Sequence, residues 1–132
     1  MRRERRLISS GSPYEPVFGY SRAVRAGNTV YVAGTVAWGD PPEADKLVGA
    51  GDMYAQARQA IRNIEKALAQ AGASLRDVVL TRTFITDMSR FEEVARAHGE
   101  AFGDIRPAAT LVEVSALVEP EMLVEMEAIA VI

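Results

Sequence analysis

The chain has 132 residues, 48 % hydrophobic and 25 % charged, with a net charge of −3. That is the balance of an ordinary globular protein, and the length suits a single domain over residues 1–132. With no cysteine and one histidine, His98, the chain excludes disulfide scaffolds, thiol nucleophiles, iron–sulfur clusters, thiolate zinc sites and paired-histidine chemistry.

The first six residues set Arg2, Arg3, Arg5 and Arg6 against Glu4, so the remaining body is acidic. Nucleic-acid binding needs a basic face that releases phosphate counterions, and none is expected here. After the basic start, Leu7-Ile8 gives way to Ser9-Ser10-Gly11-Ser12-Pro13 instead of the apolar run of a signal peptide. The start therefore reads as a solvated end feeding a strand at Arg5–Ser9. The longest stretch without a charged residue, Ala26–Gly39, is 14 residues long. A membrane span needs about 20, so no membrane partner is expected and the chain reads as cytoplasmic.

Ser21–Ala26 and Thr29–Ala33 flank Gly27-Asn28 and predict two strands joined by a tight hairpin. Gly34, just past the second strand, would let backbone or ligand approach closely. Trp38–Gly51, with Pro41-Pro42, Gly39 and Gly49, predicts a loop in which Trp38 is an anchor. Asp52–Ala71 is the clearest helix: Ala57, Ile61, Ile64, Leu68 and Ala71 make one apolar stripe, Asp52 is the N-cap and Gly72 the stop. Val78–Thr86 reads as a strand. Ser89-Arg90-Phe91-Glu92 has the spacing of a capping box opening a second helix, whose buried stripe is Phe91, Val94, His98 and Phe102, with Gly103 ending it. Ala109–Val114 and Leu123–Ile132 are the last strands.

This order predicts an α+β fold: a mixed β-sheet with two helices on one face. In the last strand Val124, Met126, Ala128, Ala130 and Ile132 point one way, and Leu123, Ile129 and Val131 the other. Both faces being largely apolar, the face without helices is expected to pack on another subunit.

Three acids lie within apolar strands: Glu113, Glu125 and Glu127, the last two on one strand face. They could position water or move a proton, or they could face solvent and pair with an arginine at a subunit boundary. His98, on a helix's apolar stripe, reads as a packed, hydrogen-bonded residue. Gly49-Ala50-Gly51 reads as a structural turn and not as a phosphate loop. Arg106, between the second helix and the next strand, could meet a substrate carboxylate or satisfy helix-end carbonyls.

Four segments together resemble one family. They are Tyr20 with Ala26-Gly27-Asn28-Thr29-Val30-Tyr31-Val32-Ala33-Gly34, Gln56-Ala57-Arg58-Gln59-Ala60 with Asn63-Ile64, Pro107-Ala108-Ala109-Thr110-Leu111-Val112-Glu113-Val114, and Val124-Glu125-Met126-Glu127-Ala128-Ile129-Ala130-Val131. These resemble the RidA/YjgF family, the reactive intermediate deaminases, over nearly the whole chain from Gly19. The resemblance implies a chorismate-mutase-like fold and a homotrimer whose sheets form a central barrel. It also implies clefts between subunits where enamines or imines are hydrolysed to carbonyl compound and ammonia, with no cofactor and no metal.

Carried over by position, the family's cleft tyrosine is Tyr20 and its water-positioning glutamate is Glu125. The serine position before Gly34 is Ala33, the carboxylate-binding arginine position is Ala109, and the frequent cysteine two residues on is Leu111. The expected site is thus Glu125 as the catalytic residue, with Tyr20, Ala33, Gly34, Phe91, Arg106, Ala109 and Leu111 lining the substrate. An alanine cannot make the charge-assisted carboxylate clamp of an arginine. Either Arg106 enters the cleft from another direction, or the chain belongs to a branch lacking that arginine, which acts on small metabolites other than the usual amino-acid-derived imines. A non-catalytic trimeric small-molecule-binding protein is the alternative. The ribonuclease activity in an older family name is disfavoured by the acidic body and single histidine.

Overall fold

The structure, a computed structural model, describes residues 4–132; Arg2 and Arg3 of the basic start lie outside the described residues. In chain order it contains β1 (Arg5–Ile8), α1 (Tyr14–Phe18), β2 (Ala23–Ala26), β3 (Thr29–Thr35), α2 (Met53–Gln70), β4 (Val78–Ile85), α3 (Phe91–Phe102), β5 (Ala108–Glu113) and β6 (Val124–Val131). Single 3₁₀ turns at Leu75–Asp77 and Met88–Arg90 introduce β4 and α3. The strands form one sheet in the order β1-β2-β3-β6-β4-β5, with only β4 and β5 parallel. This is the α+β mixed sheet with two main helices that the element order predicts, and the chorismate-mutase-like fold that the resemblance implies.

The hairpin forms at Gly27-Asn28, where Gly27 takes φ +58°, a left-handed conformation that suits glycine. In α2 the expected stripe is buried throughout, and Asp52 caps the helix by accepting from the Ala55 amide at 3.0 Å. Val30, Val32, Val124, Met126, Ala128 and Ala130 meet that stripe from the sheet, with Val94, Ala97 and Phe102 of α3 completing the core. Burying each large aliphatic side chain of this kind contributes about 1.5–3 kcal/mol.

Two local expectations need correction. Phe91 is 46 % exposed and is not part of the buried stripe of α3, because the helix starts at Phe91 itself, beyond the edge of the core. Ser89 makes no capping box with Glu92; the Asp87 carboxylate instead accepts from the Ser89 amide and hydroxyl, closing the 3₁₀ turn. A capping box forms where none was expected, at Ser74 and Asp77. Helix α3 ends at Gly103 as expected, with φ −57°, and the left-handed residue beyond it is Arg106 (φ +57°).

The face of the sheet away from α2 and α3 alternates acids with apolar groups. Glu125 and Glu127 share it with Ile129 and Val131 of β6, and the register places Leu80, Arg82 and Phe84 of β4 beside them. Tyr31, Val112 and Val131 on this face are exposed. Among the described residues, no helix is long and apolar enough to cross a membrane.

Candidate functional site

A bulge in β3 builds the site. Val32 pairs with Ala128 and Thr35 with Met126, so three steps on β3 oppose two on β6. Val32 and Thr35 are both buried, and the extra residue leaves Ala33 and Gly34 together on the outer face. Gly34 is needed there, since a β-carbon at this position would lie 2.9 Å from Glu125 Cδ. The space of the missing side chain holds the Glu125 carboxyl group. Burial pushes that carboxyl up from its ordinary range, the Arg22 cation partly offsets this, and the Glu127 charge adds to the rise.

Arg22 is the residue that sequence reasoning missed. It is 4 % exposed. Nη1 donates to Gly34 O at 2.5 Å and to Thr35 Oγ1 at 2.8 Å, and Nη2 donates to Tyr20 Oη at 2.7 Å. Nε lies 3.7 Å from Glu15 Oε2. Glu15 in turn accepts from the Ser9 hydroxyl and from the Ser10 amide and hydroxyl. The short helix α1 ends at Gly19 (φ +82°), and the Gly19 and Tyr20 amides both donate to Glu15 O. That turn delivers Tyr20 to the guanidinium, while Phe18 meets its ring edge-on at 6.0 Å between centroids.

Ala33, Gly34 and Glu125 are therefore brought together in one subunit, and Tyr20 is tied to them through Arg22, which bonds both Tyr20 Oη and Gly34 O. Ala109, Leu111 and Arg106 are not. Ala109 and Leu111 pair with Thr81 and Thr83 of β4, whose side chains are buried beneath the helices, so both lie on the opposite side of the sheet from Glu125. Glu125 pairs with Phe84, and Phe84 with Val112. Arg106 precedes β5, whose first residue, Ala108, is already four residues and about 13 Å from Val112 along the strand. The Arg106 side chain is exposed, and its backbone amide, not its guanidinium, satisfies a helix-end carbonyl by donating to Phe102 O at 2.8 Å.

The remaining acids and His98 are accounted for locally. Glu127 pairs with Arg82 at 2.9 Å, and Glu113 accepts from the Met88 amide at 2.7 Å. His98 Nε2 is 2.9 Å from Thr81 Oγ1, and burial pushes its pKa down. Trp38 anchors its loop: its carbonyl accepts from Gln59 and Asn63, and its ring packs on Tyr14. Among the described residues, no three His, Cys, Asp or Glu side chains are grouped to hold a metal. Two hollows adjoin the site. One, of about 270 Å³ on the uncovered face, is lined by Tyr31, Ala33, Arg82, Glu127 and Ile129. The other, of about 160 Å³, lies against Arg22, Ser12, Trp38, Asn63 and Lys66.

Comparison with known proteins places this geometry. The profile of the endoribonuclease L-PSP family matches residues 11–132. The chain belongs to this family, which is the RidA/YjgF family its motifs resemble. A YjgF/YER057c/UK114-family structure from Mycobacterium tuberculosis superposes with a TM-score of 0.86 at 51 % identity, covering 98 % of this chain and 100 % of that one. The 3-aminoacrylate deaminase RutC of Acinetobacter baylyi is 33 % identical over 124 residues, 94 % of each chain. The 2-iminobutanoate/2-iminopropanoate deaminase of Mus musculus is 34 % identical over 127 residues, 96 % of this chain and 91 % of its own. The RidA/YjgF fold and these deaminase relatives support an imine-deaminase-like function.

Proposed function

We propose that the protein hydrolyses a small imine or enamine in clefts between the subunits of a homotrimer, and that its substrate lacks the carboxylate of the usual amino-acid-derived imines. The observation that carries this reading is the Glu125 carboxyl group seated in the vacancy of Gly34, half-buried and raised in pKa, with the neighbouring cations already engaged, Arg22 by Gly34, Thr35 and Tyr20 and Arg82 by Glu127.

The chemistry needs little else. The Glu125 carboxylate accepts a proton from water as the water oxygen bonds to the imine carbon, and the C=N π electrons move to nitrogen. Glu125 returns that proton to the nitrogen, giving the neutral carbinolamine. It then takes the carbinolamine hydroxyl proton and passes it to the same nitrogen, so that ammonia leaves as the carbon–oxygen double bond forms, and one imine and one water give one carbonyl compound and one ammonia. A raised carboxyl pKa suits both halves of this exchange.

The division of the site supports a cleft between subunits. Ala109, Leu111 and Arg106 do not join Glu125 within one chain, whereas a neighbour packed on the uncovered sheet face can present them. With Ala109 and Leu111 as the wall, that neighbour offers an apolar surface to the substrate.

The test is release of ammonia from an aldimine generated in place by an amine oxidase, compared with release from 2-iminopropanoate. A non-catalytic trimeric binding protein is the second reading, favoured by Ala33 where a cleft hydroxyl is expected. A ligand-induced thermal shift without product would support it.

A further inference from the structure

We infer that Arg22 is a positioning residue of the site, holding the Tyr20 oxygen as an acceptor so that the phenol proton is aimed at the ligand, and standing as a buried cation behind Gly34 opposite Glu125.

Tyr20 Oη accepts from Arg22 Nη2 at 2.7 Å, and its own O–H finds no acceptor among the described residues. A donor already fixed on the oxygen leaves the phenol proton as the group free to be given away. A cationic donor also polarises that O–H, making it a stronger donor to a developing charge on a substrate nitrogen or oxygen. The guanidinium has little freedom to move toward a ligand. Gly34 O and Thr35 Oγ1 hold one end, Tyr20 the other, and Glu15 its Nε side. An arginine so engaged cannot serve as a substrate clamp. It ties α1, β3 and the segment before β2 into one unit at the bulge, which is how a site is kept at fixed geometry.

The charged groups that bear on Glu125 are Arg22, Glu127 with its partner Arg82, and Glu15 behind Arg22. Removing the Arg22 charge withdraws the attraction that favours the ionised carboxylate. Removing the Glu15 charge strengthens it.

This inference rests on the proposed hydrolysis for its catalytic consequence, but its structural core is read without turnover. The experiment is NMR titration of labelled Glu125, assigned with Glu125→Gln, in the wild type and in Arg22→Gln, Arg22→Lys and Glu15→Gln. Arg22→Gln raises the Glu125 midpoint by about half a pH unit or more, Arg22→Lys restores most of the difference, and Glu15→Gln lowers it. An unchanged midpoint in Arg22→Gln and Glu15→Gln overturns the inference. If Arg22→Gln does not fold, Glu15→Gln alone decides it by the same criterion. Turnover is measured alongside on the aldimine. A wild type with no turnover defeats the proposed function, while the titration still decides Arg22. In an active wild type, Tyr20→Phe lowers kcat by about tenfold or more with the Glu125 midpoint unmoved, and full kcat in Tyr20→Phe overturns the proton-donor role.

Discussion

The carboxyl group of Glu125 on β6 fills the space that a side chain at Gly34 on β3 would occupy. Two central strands are locked together by this fit at the bulge, and it makes position 34 a lever on the site. In Gly34→Ala the new methyl meets the far end of a flexible side chain, so the carboxyl can swing aside. The fold should lose no more than about 1 kcal/mol, because only the end of Glu125 must give way. A displaced general base should nevertheless cost about 100-fold in turnover. Urea unfolding and steady-state assay of the same preparation check the pair of values; a large stability loss with intact turnover would refute the lever.

Glu125 also leaves a mark on stability. Its pKa is raised in the folded state, chiefly by burial. Above the ordinary carboxylate value the folded protein therefore holds more protons than the unfolded chain, and stability falls as pH rises toward the raised value. Glu125→Gln carries no such charge. It should match the wild type near pH 4 and be the more stable protein at pH 7, with turnover lower by at least about 100-fold. Unfolding curves across that range test the sign; a constant difference between the two proteins would contradict it.

Arg106 carries a different strain. It is a non-glycine residue in the left-handed region, with its amide already satisfied by Phe102 O. Arg106→Gly removes the steric cost of the side chain there, a gain of about 0.5–1 kcal/mol. Because the account gives the substrate no carboxylate for Arg106 to hold, turnover of the aldimine should stay within about twofold, a change too small for loss of a charge-assisted clamp. A collapse in turnover with unchanged folding would make Arg106 a relocated clamp.

The uncovered sheet face is the fourth place where one substitution decides a question. Tyr31 lies there half-exposed, opposite Ile129 in the register. A charge buried at a subunit boundary without a partner costs several kcal/mol. Tyr31→Asp should thus convert a trimeric wild type to monomer in sedimentation equilibrium while keeping its circular dichroism spectrum. A wild type that sediments as a monomer would remove the cleft from the account.

Much of this was legible in the chain, and the parts that were not share a cause. The stripe from Ala57 to Ala71 announces α2 because helix period and burial coincide, and Asp52 marks its start by residue type alone. Glu125 is legible as an acid in an apolar strand and again through motif resemblance, whereas Tyr20 is legible through resemblance alone; Arg22 is what links Tyr20 to Gly34. Arg22 escaped because, next to Ala23 in a short alternating run, an arginine looks like a solvated strand residue; its partners Gly34, Thr35 and Glu15 come from other segments. The bulge at Ala33-Gly34 likewise has no local signature beyond a glycine. Helix α1 is five residues long with Pro16 inside it, too short for any period to register. Phe91 misled because a phenylalanine in phase with a stripe need not be inside when it sits at the first turn.

The most direct test of the central claim is the rate of ammonia release from an amine-oxidase-generated aldimine and from 2-iminopropanoate, for wild type, Glu125→Gln and Ala109→Arg. The account predicts that wild type accelerates the aldimine over buffer and Glu125→Gln does not. Ala109→Arg, by supplying a charge-assisted partner for a carboxylate, should shift preference toward 2-iminopropanoate by about tenfold or more. Equal rates for wild type and Glu125→Gln, or no acceleration by wild type on either imine, would contradict it.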